Sequence, residues 1–141
     1  MAAIAFHPFQ LTNVHAARLE ASRRPTRTGD SEEPTFGYRG PTGIVHVAGE
    51  VGFQCTVRIQ VDIPVLGEEI FHGAVTLVAF FVTADEQRIA ISNARAFARA
   101  QALYIVWPFA RAYLDQLAMM AGVGVPPIPL LLVPRSPGPG R

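Results

Sequence analysis

The sequence has no lysine, one cysteine and few charges of either sign. All twelve of its basic residues are arginine, and charged residues make up 16% of the chain. A single cysteine, Cys55, excludes an internal disulfide. The formal net charge of +1 gives no general affinity for nucleic acid. Half of the residues are apolar and the mean hydropathy is +0.25, which excludes a disordered chain. No histidine has a second His or a Cys at metal-ligand spacing: His7, His15, His46 and His72 stand apart. There is no glycine-rich phosphate loop and no serine in a nucleophile elbow. The acid pairs Glu32-Glu33, Glu68-Glu69 and Asp85-Glu86 fall in expected turns, which offer no cleft to shift a pKa. No catalytic residue, metal or cofactor is therefore expected. Met1 to Phe6 lacks the basic start of a signal peptide. Gln116 to Pro134 carries no charge, but Gly122, Gly124, Pro126, Pro127 and Pro129 would break a helix in lipid. No membrane insertion is expected, and the cytoplasm is the expected compartment.

What is present centres on Val51 to Thr83. Phe53, Cys55, Val57, Ile59, Val61 and Ile63 alternate with Gln54, Thr56, Arg58, Gln60 and Asp62. Strict alternation puts six apolar side chains on one face of a strand. Leu66 to Glu69 make a turn, and a strand over 70–83 follows. Phe71, Val75, Leu77 and Phe81 lie on one parity, Val78, Phe80 and Val82 on the other. A strand apolar on both sides is covered on both sides. One face can take the chain's own helices; the other calls for a second subunit or a client.

The remaining segments read in order as one α+β domain over 1–134, with Arg135 to Arg141 expected to lack order. Residues 6–21 predict a strand with a bulge between Leu11 and Val14, where the apolar parity slips. Ser22 to Gly43 reads as a loop, with Arg23, Arg24, Arg27 and the acids Asp30, Glu32 and Glu33 solvated. Phe36 and Tyr38 inside it either anchor the loop on the core or line a binding groove. Ile44 to Ala48 predicts a short strand, and Gly49-Glu50 a tight turn. Ser92 or Asn93 can cap a helix beginning at Ala94. Pro108 predicts its end near Trp107 and the start of a second helix carrying Tyr113, Leu117 and Met120, which stops at Gly122. The fold expected is thus a four-stranded antiparallel sheet followed by two helices.

The surplus apolar surface is the main clue to function. The groove candidates are Phe36, Tyr38, Tyr113, Leu117 and Met120, with Ile128, Leu130 and Leu132 from the proline-broken tail. Methionine suits a surface that must adapt to different partners. The residues alone leave open a surface for a client, a small-ligand-binding α+β domain, and a purely structural oligomer.

Four motifs in order resemble the SecB family of export chaperones. Val106-Trp107-Pro108-Phe109-Ala110-Arg111 resembles the family's aromatic-proline-aromatic junction between two helices. Pro126-Pro127-Ile128-Pro129-Leu130 resembles its Pro-x-Leu-x-Leu tail. Leu66-Gly67-Glu68-Glu69 matches its Leu-Gly-Glu-Glu turn, and Phe9-Gln10-Leu11 with Val14 resembles its first strand. The resemblance implies a crossover loop after the first strand and a homotetramer built as a dimer of dimers. It implies ATP-independent capture of unfolded or precursor polypeptides in apolar grooves. It also implies hand-over to the SecA motor, with Leu66 and Glu68 at docking positions, or service to a dedicated client such as an antitoxin. Two acidic docking positions of the family hold Arg18 and Ser22 here. The family's acidic tail gives way to Pro137-Gly138-Pro139-Gly140-Arg141.

Overall fold

The structure is a computed structural model, and it describes residues 9–47, 49–65, 68–84 and 87–123. Four strands, β1 (Phe9–Pro25), β2 (Thr35–Val47), β3 (Gly52–Val65) and β4 (Glu69–Thr83), form one antiparallel sheet in the order β1-β4-β3-β2. The chain therefore crosses from one edge of the sheet to the other between β1 and β2. A helical rod over residues 91–120 follows and lies on one face of the sheet.

The period-two reading of β3 holds at every position. Phe53, Cys55, Val57, Ile59, Val61 and Ile63 are buried beneath the helix, and the residues between them are half-buried on the other face. Burial pushes the Cys55 thiol up to about 11, so it is an inert core group. Beside it, β4 puts Phe71, Val75, Leu77, Ala79 and Phe81 under the helix. Its second apolar set, Val78, Phe80 and Val82, lies half-buried on the far face. One end of the core is a cluster of four rings, Phe9, Phe53, Phe81 and Phe97, with centroids 4.7–6.1 Å apart.

The register of β1 against β4 shifts between Leu11 and Asn13, where a bulge is expected, and again between Ala16 and Arg18. The expected loop over 22–43 is much shorter. β1 runs on to Pro25 and β2 begins at Thr35, so Phe36 and Tyr38 are strand residues. Glycine and proline marked this stretch as loop, but an edge strand tolerates both where it bulges. β2 slips register twice between Arg39 and Val45. At Gly40, φ is +104° and a Cβ would stand 2.6 Å from the Thr56 carbonyl oxygen, so only glycine fits that approach.

The short crossover is held by ion pairs, while Arg23, Arg27, Glu32 and Glu33 stay exposed as expected. Arg24 grips Asp30 through two bonds of 2.8 and 2.9 Å, and the Arg27 amide donates to Asp30 at 2.6 Å. Arg23 reaches Glu69 at 3.0 Å. The Arg24 guanidinium, then the Arg27 amide, hold the Asp30 carboxyl well below its usual range. A carboxyl depressed on folding adds stability above its unfolded pKa of about 4, and that stability is lost as pH falls through the folded value. Limited proteolysis between residues 26 and 34 should accelerate in strong acid for the wild type. Asp30→Asn should be cleaved faster already at neutral pH, with a flatter pH dependence. Equal rates for the two proteins at neutral pH would refute this.

The two expected helices are one. Helix α1 (Ile91–Phe97) passes through a wider π turn (Ala98–Ala102) into α2 (Leu103–Met120) without leaving helical dihedrals. Its N-cap is Ala90, so Ser92 and Asn93 lie inside the helix rather than capping it. Pro108 sits within α2 and does not break it. The proline is on the exposed side, with the exposed Tyr104 one turn before it, so its ring takes no place in the core. On the opposite side Val106, Trp107, Ala110 and Leu114 are fully buried, and that packing outweighs one lost hydrogen bond. The helix ends as expected: Gly122 has φ +72°, and the Val123 amide donates to Ala118 O at 2.9 Å.

Candidate functional site

The helix divides the covered face of the sheet into two flanks. Toward β2, Phe36 meets the ring of Trp107 edge-on at 6.1 Å. Phe36 is half-buried, so it anchors β2 on the core, while Tyr38 beyond it is 44% exposed. Toward β1, Phe109 stands over Leu11, Thr12, Asn13 and Val14, which together line a hollow of about 310 Å³. Phe109 is 41% exposed and Tyr113, one turn further on, is half-buried. Met120 is 83% exposed near the helix end, beside Met119.

The proposed groove residues thus fall on opposite sides of one helix, with Phe36 and Tyr38 on the first and Tyr113 and Met120 on the second. Leu117 is 7% exposed and belongs to the core. Ile128, Leu130 and Leu132, and Leu66 at the turn, lie outside the described residues. Glu68 is exposed beside that turn with φ +61°, and its carbonyl accepts from the Thr26 amide at 2.8 Å. Phe109 was not singled out as an exposed aromatic, because the proline before it read as a helix start rather than as a marker of an exposed face.

Among the described residues no group of three or more His, Cys, Asp or Glu could hold a metal. His46 has a structural use. Its Nε2 donates to Ile89 O at 2.8 Å, and the Ile89 amide donates to Glu50 O at 3.0 Å, which fixes the β4–α1 connection to the β2–β3 turn. Arg88 pairs with Glu50 at the same place. No helix among the described residues is long and apolar enough to cross a membrane.

This architecture, a four-stranded antiparallel sheet crossed by a helix of thirty residues, is the fold of the SecB-like chaperones. A solved structure that it matches is the Mycobacterium tuberculosis Rv1957 SecB-like chaperone in complex with a ChAD peptide from the Rv1956 HigA1 antitoxin. The match has a TM-score of 0.64 at 16% sequence identity, and covers 89% of this chain and 91% of that one. No protein-family model and no curated protein sequence matches the chain.

Proposed function

We propose that this protein is an ATP-independent chaperone that holds unfolded polypeptides along the apolar flanks of its helix. The observation that carries this reading is the pairing of a SecB-like fold with exposed Tyr38, Phe109, Met119 and Met120 along those flanks. A folded monomer gains nothing from wet aromatic and methionine side chains, whereas an extended client can cover them at ~25 cal/mol per Å² of apolar area. The Mycobacterium tuberculosis neighbour binds an antitoxin peptide, which supports a dedicated client of that kind as well as precursor chains for export. No cofactor or catalytic step enters, and the work is done in the cytoplasm. The uncovered apolar set of β4 and the exposed helix face favour assembly into a tetramer of 15.3 kDa chains, about 61 kDa. Docking to SecA through Leu66 and Glu68 is weak, because Arg18 and Ser22 stand where the family places acids.

The test is dilution of a chemically unfolded protein into an equimolar amount of the tetramer without nucleotide. Light scattering should rise more slowly than in its absence, and a size-exclusion column with light scattering should return the tetramer mass. Unchanged aggregation would remove the chaperone reading. A stable monomer at micromolar concentration would remove the assembly.

A further inference from the structure

Sulfur open to solvent is confined to the last turn of the helix. Among the described residues, sulfur occurs at Cys55, Met119 and Met120. Cys55 is fully buried, and burial holds its thiol protonated at neutral pH. Met119 and Met120 are 77% and 83% exposed, more than any other large hydrophobic side chain described. Oxidants that react with sulfur therefore meet thioethers here, not a thiolate.

The two methionines are adjacent in sequence but do not share a surface. Successive residues of a helix stand about 100° apart, and those four or seven apart fall on one stripe. Phe109, Tyr113 and Met120 keep that spacing, so Met120 extends the flank that Phe109 opens over β1. Pro108, Ala112 and Met119 keep the same spacing one residue earlier, and all three are exposed. Their stripe points away from the sheet, opposite the buried Val106, Ala110, Leu114 and Leu117. The backbone of this turn makes no use of either thioether. The Ala121 amide donates to Leu117 O at 3.0 Å, the Gly122 amide to Met119 O at 3.0 Å, and the Val123 amide to Ala118 O at 2.9 Å.

We propose that Met120 is a reversible oxidation site that turns off the client flank, and that Met119 beside it is oxidised without effect on clients. The proposal rests on the chaperone reading. In the step, a lone pair on the Met120 sulfur attacks one oxygen of a hydroperoxide. The O–O bond breaks and an S–O bond forms. The sulfur loses two electrons, and the peroxide is reduced to water or, if organic, to an alcohol. The sulfoxide replaces a pliable apolar side chain with a polar one. A client's apolar residues then cover an oxygen that has no hydrogen-bond partner, which is unfavourable. A dithiol reductase reverses the step: the oxygen leaves as water and the two thiols become a disulfide.

The test treats the folded protein with hydrogen peroxide, removes the excess with catalase, and follows peptide masses, aggregation of an unfolded client and mass in solution. The wild type should gain one oxygen at each of Met119 and Met120. The concentration needed for half protection should rise about fivefold, at unchanged melting temperature and unchanged mass in solution. Met119→Leu should show the same loss on treatment. Met120→Leu should protect equally before and after it. Met1 is common to every variant and cancels from the comparison. Methionine sulfoxide reductase with dithiothreitol should restore the untreated value. Failure of Met120 to take up oxygen, full protection by the oxidised wild type, or an equal loss in Met120→Leu would each overturn the assignment. A fall in mass on oxidation would place Met120 in a contact between copies and overturn it as well. Absence of protection before any treatment would remove the chaperone reading itself, and this site with it.

Discussion

Trp107→Ala should destabilise the protein by about 3–5 kcal/mol and lower its melting temperature by about 10 °C or more. Trp107 heads the fully buried side chains by size, and it lies where the helix, the inner face of the sheet and Phe36 of the edge strand meet. Its loss opens a cavity on the flank of the helix that anchors β2, so β2 should lose amide-exchange protection before β1 does. The adjacent residue makes the internal control. Pro108 is exposed and withholds one backbone bond, so Pro108→Ala should leave the fold intact and slightly raise the melting temperature. A Trp107→Ala protein as stable as the wild type would mean that the helix is not seated as described.

The double change Phe109→Ser with Tyr113→Ser should abolish most protection of an unfolded client while costing little stability. Phe109 is 41% exposed and Tyr113 half-buried, so neither carries the core. Leu117→Ser behaves differently: the side chain is buried at 7%, and a hydroxyl there leaves both a cavity and a polar group without a partner. Aggregation assays and mass in solution, read together, separate the readings. Lost protection at constant mass identifies a client surface on the β1 flank. Lost mass identifies a subunit interface and favours the structural oligomer. Retained protection at constant mass would exclude this flank from client binding.

The sequence made the inner face of the sheet legible because a strict two-residue period has one structural meaning. It also located the β1 bulge, where Leu11 and Val14 fall on the same face only if a residue is skipped. It showed only the end of β2, from Ile44, because Gly37, Gly40, Pro41 and Gly43 before it are loop residues unless an edge strand bulges around them. It misplaced the helix break because Pro108 says nothing about which side of a helix it occupies, and that side decides its cost. The functional surfaces were less legible still. Phe36 and Tyr113 share an apolar character but are separated by the width of a helix.

The order of the strands bears on how this chain reaches its own native state. β2, β3 and β4 are successive hairpin neighbours and can zip together as a meander, each closing a short loop. β1 has one partner, β4, and Phe9 lies opposite Thr83, so of the four strands the first to be made waits for the last. Sheets with such distant pairings fold slowly. During that wait Leu11, Val14 and Leu19 stay on an unpaired strand, as aggregation-prone as any client. Under the proposed function, a protein that shelters incomplete chains is, for that interval, one of them.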